Sequence, residues 1–139
     1  MFLLSGIPTS GRHPRVRAVL GGAAGEEEEM GNRFHVYEAA LGLVAALRPV
    51  LERLKREDRA LADQMRRAAS SVALNIAEGN RRTGLDRVHF FRIAAGSAAE
   101  VRAALEVAAA WGMVEAAPVA EAELDRVLAM LWRLTHRRE

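Results

Sequence analysis

The side chains that could carry chemistry in this sequence are mostly arginines. Nineteen of the twenty basic residues are arginine, Lys55 is the single lysine, and eighteen acidic residues leave a formal net charge of +2. The arginines cluster between residues 66 and 92 and again at the C-terminus, where they could neutralise the phosphates of a nucleic acid. The candidate phosphate contacts are Arg66, Arg81, Arg82, Arg87, Arg133, Arg137 and Arg138. The other interpretation is an ordinary surface, on which Arg81, Arg82 and Arg87 are solvated or paired with Glu78 and Asp86. Surface arginines are common, and the scarcity of lysine raises their number.

The residue types needed for catalysis or metal binding lack the spacing that such sites require. Cysteine is absent, which excludes disulfides, thiolate zinc sites and cysteine nucleophiles. The four histidines form neither a His-Glu-x-x-His pattern nor a Glu-x-x-His pair, and there is no Gly-x-Ser-x-Gly elbow and no Walker phosphate loop. We therefore predict a protein that is not an enzyme and that binds no metal and no cofactor.

Apolar residues recur at the spacing of amphipathic helices in four segments of the chain. They predict helices over about 33–57, 58–78, 85–111 and 118–136. Pro49 lies inside the first segment and predicts a kink there. Four such helices joined by short connections form an all-α, antiparallel up-down four-helix bundle.

The first 29 residues differ from the rest of the chain. They contain five glycines, two prolines and the run Glu26–Glu29, without helical periodicity. Residues 1–29 are either a disordered tail or the product of a mis-assigned start, because the four glutamates before Met30 could translate a purine-rich ribosome-binding stretch. The bundle domain is then 30–139. Since no apolar run approaches the roughly 18 residues of a membrane span, we expect a cytoplasmic protein without membrane contact.

Two helical segments contain residues that a generic helix would not select. Asn75 is a poor helix former beside an apolar stripe, and Gly96 costs about 1 kcal/mol inside a helix. We interpret Gly96 as part of a patch of small residues that lets another helix approach closely. We interpret Asn75 as part of a polar network that specifies how the helices pack. Its predicted members are Arg67, Asn75, Glu78, Arg92 and Glu100.

The last predicted helix and its approach carry more large apolar residues than one buried stripe can hold. A second face should therefore pack on another subunit. The predicted interface residues are Trp111, Met113, Met130 and Trp132. Alternatively, Trp132 caps the open end of the bundle. Because the aromatic residues fall on apolar stripes, no base-stacking platform is expected.

Two stretches, QMRRAASSVALNIAEGNRR and FFRIAAGSAAEVRAAL, closely resemble a known family. It is the four-helix-bundle family encoded in intervening sequences of 23S ribosomal RNA genes, and the resemblance covers about residues 33–133. The matching positions are Gln64, Arg67, Ala68, Ser71, Asn75, Ile76, Ala77, Glu78, Gly79, Phe91, Ala95, Gly96, Ser97 and Glu100.

This resemblance implies a homopentamer without enzymatic activity. The family is similar to the accessory variability determinant protein of diversity-generating retroelements, which works with a reverse transcriptase and its RNA. We therefore expect a homo-oligomeric adaptor that binds structured nucleic acid, RNA or DNA with RNA favoured, through arginine-rich edges. The alternative is a scaffold that docks a protein such as a reverse transcriptase without binding nucleic acid.

Overall fold

The computed structural model describes residues 24–136, and four α-helices contain most of them. α1 comprises Ala24–Glu57, α2 Arg59–Asn80, α3 Gly84–Ala110 and α4 Pro118–Thr135. Each helix packs against the next one along the chain, and α4 also packs against α1. This arrangement is an antiparallel up-down bundle, so the predicted fold class is confirmed.

One apolar stripe from each helix forms the core. The stripes lie where the 3–4 spacing predicts them, and within residues 24–136 no polar or charged residue is fully buried. The largest side chains of this core are Phe91, Leu43, Leu47, Leu54, Met65, Ile76, Leu124, Leu131, Val36, Val72, Val101 and Val127. Shape and apolar area therefore hold the bundle together, while the polar groups lie at its surface and its ends.

α1 begins at Ala24, earlier than the predicted start near residue 33. Residues 24–29 of the predicted tail are therefore helical, because alanine and glutamate favour helix and Glu26 and Glu27 lie in the first turn, where negative charge is favourable. The remainder of the predicted tail, residues 1–23, lies outside the described residues. α1 is helical on both sides of Pro49, and the kink at that position stays a prediction.

Local signals set the short connections between the helices. Asp58 is the N-cap of α2, and its carboxylate accepts a hydrogen bond from the Leu61 backbone N–H at 2.9 Å. Gly84 has a φ of 57° at the start of α3, and Gly112 has a φ of 72° just after it ends. Glycine adopts such positive φ values without strain, which allows these tight connections.

α1 is long and apolar enough to cross a membrane by length and composition, with a mean hydropathy of 1.3 in its most apolar window. We expected no segment of this kind from the sequence. The signal is weak, because a core helix of a soluble bundle meets the same criteria. One stripe of α1 is indeed buried against its neighbours, including Val36, Leu43 and Leu47.

Candidate nucleic-acid interface

The topology brings the helix termini together at two ends of the bundle. α1 begins, α2 ends, α3 begins and α4 ends at the same end. We call it the arginine end, defined by Arg33, Arg81, Arg82, Arg87 and Arg133. We call the opposite end, where α1 meets α2 and α3 meets α4, the far end. Residues that are distant in sequence thus become neighbours in space.

The predicted phosphate contacts fall into three groups by position. Arg81, Arg82, Arg87 and Arg133 lie at the arginine end. Arg66 is exposed but lies about 22 Å along α2 from Arg81, nearer the far end. The other two, Arg137 and Arg138, lie outside the described residues.

Acidic neighbours hold Arg82 at the α2–α3 connection. Its Nε donates to Glu78 Oε1 at 2.8 Å, and its Nη1 donates to Asp86 Oδ2 at 3.2 Å. The guanidinium carbon also lies 5.2 Å from the centre of the Phe90 ring. The hydrogen bond and the charge of Glu78 raise the pKa of Arg82. Arg82 therefore links the end of α2 to the start of α3, and its charge is already matched within the protein.

Arg33 and Arg87 share one carboxylate at the arginine end. Arg87 Nη1 lies 3.8 Å from Glu29 Oε1, and the Arg87 side chain is only 19% exposed. Burial lowers the pKa of Arg33, the charge of Arg87 lowers it further, and the charge of Glu29 opposes both effects. Asn80 Nδ2 donates to the Arg33 carbonyl at 3.3 Å and ties α2 to α1. The Nε atoms of both arginines are shielded from solvent without a hydrogen-bond partner, so this pair carries positive charge that the protein neutralises only in part.

Arg81 and Arg133 are the exposed cations that remain available at the arginine end. Within residues 24–136 neither side chain forms an ion pair. Arg133 lines a cleft of about 210 Å³ between the start of α1 and the end of α4, together with Glu28 and Glu29. A phosphate could reach Arg81 and Arg133 directly, whereas it would have to displace carboxylates to reach Arg82.

The structure does not join the five predicted network residues. Asn75 Nδ2 donates within α2, to the Ser71 carbonyl at 2.9 Å and to Ser71 Oγ at 3.0 Å. Ser71 Oγ in turn lies 2.8 Å from Ser97 Oγ on α3. Glu78 binds Arg82 instead. The other predicted members are exposed, and in the described part of the chain they form no hydrogen bond or ion pair: Arg67, Arg92 and Glu100.

The close approach of α2 and α3 explains why small polar groups take this role. A Cβ built on Gly79 would lie 2.7 Å from Cε1 of Phe91, a side chain that is 1% exposed. The space between α2 and α3 is wide enough for small hydroxyl groups such as those of Ser71 and Ser97, whereas longer charged side chains extend into solvent. Ser97 was missed as a network member, although it stands beside Gly96 in the sequence.

The predicted interface residues divide into two buried and two exposed side chains. Met113 and Met130 are partly buried and pack against the core. Trp111 and Trp132 are 71% and 60% exposed, respectively. Trp111 follows α3 at the far end, whereas Trp132 lies in the last turn of α4 at the arginine end. The four residues therefore do not form one patch.

Trp132 forms an aromatic platform that the sequence analysis missed. Its ring stacks on that of His136, with centres 4.7 Å apart and planes 10° from parallel. His136 Nδ1 lies 3.0 Å from both the Trp132 carbonyl oxygen and Thr135 Oγ1, which orients the imidazole. The i, i+4 spacing of Trp132 and His136 was the available signal.

A second set of exposed cations lies at the far end. Lys55, Arg56 and Arg59 line an open cleft with Glu52, and within residues 24–136 these three cations form no ion pair. They were visible in the sequence as the charged run between the first two helices. Across the described residues, no group of His, Asp or Glu side chains is placed to hold a metal ion.

The comparison with known proteins assigns a family. No curated protein sequence matches the chain. The sequence profile described as 23S rRNA-intervening sequence protein matches residues 32–133, which include both motif stretches and every buried core residue except Leu134. Because this match covers more than half of the chain, the protein belongs to the 23S rRNA-intervening sequence protein family.

Proposed function

We propose that this protein is a non-enzymatic, homo-oligomeric adaptor that binds structured RNA through the arginine end. The observation that carries the proposal is the gathering of Arg81 and Arg133, exposed and without an acidic partner in residues 24–136, at one end of the bundle. The partly neutralised pair Arg33 and Arg87 lies at the same end and is less exposed. Guanidinium groups bind phosphate oxygens well, so recognition would depend on the RNA backbone and its shape.

Assembly into a ring would multiply these contacts. A cyclic oligomer repeats each end around its axis, so two exposed arginines in one subunit become a belt of cations. Five subunits are what the resemblance of the sequence implies. Apolar side chains that a neighbouring subunit could cover lie on the outer surface of α2 and α3, where Leu74 is 69% and Val107 45% exposed.

Titration of the full chain with a folded RNA hairpin at about 50 and 200 mM salt tests the proposal. A ring that makes six or more phosphate contacts should lose roughly 10³-fold or more in affinity over this range. A DNA duplex of equal length serves as the matched probe, and we expect it to bind more weakly. Absence of binding to either probe at 50 mM salt would contradict the proposal.

The apolar surface of α2 and α3 also favours a second candidate function, a scaffold that docks a protein. Leu74, Ile93 and Val107 are exposed on this surface, and burial of such side chains stabilises protein complexes without a strong dependence on salt. A partner such as a reverse transcriptase would then bind with similar affinity at low and high salt. That result, together with no affinity for RNA, would replace the first proposal.

A further inference from the structure

Trp132 is a large aromatic side chain that the bundle leaves in solvent beside its cations. It lies in the last turn of α4, 60% exposed, and its ring stacks on His136. Arg133 is the next residue and is also exposed. An exposed aromatic ring and an exposed guanidinium on successive residues offer two contacts, one for a planar ring and one for an anion.

Nucleotides are the ligand class that combines these two features. Every base has a π-face that stacks on an indole, and its phosphate carries the charge that an arginine binds. The His136 imidazole keeps the Trp132 ring oriented, so little conformational freedom is lost when a base stacks on it. Arg133 also lines the cleft that contains Glu28 and Glu29, and these carboxylates repel a phosphate inside it. A phosphate would therefore reach Arg133 from the solvent side, outside the cleft.

We infer that an unpaired nucleotide of a bound RNA stacks on Trp132 while its phosphate contacts Arg133. This inference rests on the proposed function and makes it more specific, because it adds a requirement for an unpaired base. RNA with a loop, bulge or single-stranded end should then bind more tightly than a fully paired duplex.

The two tryptophans of the chain allow a direct test, because each can be observed alone. In the Trp111→Phe variant the emission comes from Trp132, and in the Trp132→Phe variant it comes from Trp111. Titration of the full chain with a single-stranded 12-mer of RNA should quench Trp132 through base stacking. Trp111 is the matched control, since it is at least as exposed as Trp132 but lies at the far end without a ring partner in residues 24–136. Its emission should change little.

Affinity measurements complete the test. Trp132→Ala should weaken single-strand binding roughly 5- to 150-fold, the range for loss of one stacked base, whereas Trp111→Ala should leave it unchanged. Both side chains are exposed, so both variants should keep the parent's circular dichroism and melting midpoint. If the strand binds the parent but quenches both tryptophans equally, or binds Trp132→Ala as tightly as the parent, the stacking inference is wrong and RNA binding stands. If neither this strand nor the hairpin binds the parent chain, the proposed function itself is wrong.

Discussion

The two ends of the bundle have similar composition, but they differ in how far neighbouring side chains hold their cations and tryptophan in place. Each end carries exposed cations, Arg81 and Arg133 at one and Arg56 and Arg59 at the other, and each carries one exposed tryptophan. At the far end, in the residues described, Arg56 and Arg59 form no ion pair and the tryptophan stacks on no other ring. At the arginine end, carboxylates hold several arginines in place and a histidine orients the tryptophan.

This difference shows why a count of charges is a poor guide to a binding surface. An aromatic ring that is already held in place, as His136 holds that of Trp132, loses less entropy when it binds than one that moves freely. The same contacts also divide the arginines by role. Arg82 is neutralised by Glu78 and Asp86, whereas its neighbour Arg81 is exposed and free of ion pairs within residues 24–136.

We expect the largest effect from a substitution that adds one methyl group where α2 and α3 approach each other near the arginine end. Gly79→Ala would place a Cβ 2.7 Å from the buried ring of Phe91, which has no room to move. Such overpacking costs about 1–3 kcal/mol, offset in part by the better helix propensity of alanine. Urea unfolding of the full chain should therefore show a lower free energy of unfolding.

Gly96→Ala is the matched control for this change, because both glycines lie within helices that pack on each other. Nothing lies within 4 Å of a Cβ built on Gly96. The substitution should stabilise the protein by up to about 1 kcal/mol through helix propensity alone. Equal effects of the two substitutions would show that the tight approach at Gly79 does not constrain the arginine end.

The next prediction concerns the salt slope of RNA binding when two arginines are removed from one end of the bundle or from the other. The double variant Arg81→Gln with Arg133→Gln should reduce the salt slope of RNA binding by about 1.5 to 2 per subunit bound to phosphate. The same double substitution at Arg56 and Arg59 removes equal charge from the far end and should change the slope little. If the far-end variant shows the larger loss, the RNA contacts lie at the other end of the bundle.

The sequence predicts the core of this molecule far better than its ends. The stripe of α3, from Phe91 to Ala108, is buried as the 3–4 spacing predicts, because burial of apolar area follows helix periodicity alone. At the ends, the pairing of Arg82 with Glu78 and Asp86 was one of the two interpretations that the sequence offered, and the i, i+4 spacing on both sides is its signal. Arg33, in contrast, was not among the candidates, because the nearness of Arg87 depends on tertiary packing.

The long charged residues of the predicted network make no contact with Asn75, for a related reason. The sequence analysis grouped Arg92 and Glu100 with Asn75 in one polar network, but the sequence does not give the distance between α2 and α3. At the distance observed, two serine hydroxyls 2.8 Å apart make the contact between Ser71 and Ser97. Polar packing between close helices is therefore decided by the smallest residues, which carry little signal in composition.

A smaller effect should follow when the arginine end loses its shared carboxylate. Glu29→Gln keeps the shape of the side chain but removes the charge that acts on both Arg33 and Arg87. We expect RNA affinity at low salt to rise severalfold, with a modest loss of stability from two facing guanidinium groups. Glu52→Gln removes one negative charge at the far end, where Glu52 pairs with Arg48, and is the control. If RNA affinity rises equally in both variants, the cause is the change in net charge and not the position of Glu29.

We expect the smallest effects from single substitutions of Arg81 and Arg82, which are adjacent in sequence but differ in their ion pairs. Arg82→Gln removes the side chain that bridges Glu78 and Asp86, so the melting midpoint should fall slightly, as is usual for an exposed ion pair. Its RNA affinity should stay near that of the parent, because the charge of Arg82 was already matched. Arg81→Gln should do the reverse, with an unchanged melting midpoint and a salt slope lower by about 1. If Arg82→Gln instead lowers the salt slope as much as Arg81→Gln does, then phosphate displaces the Glu78 and Asp86 carboxylates from Arg82. The ion pairs of Arg82 would then belong to the RNA-free protein, and RNA binding would break them.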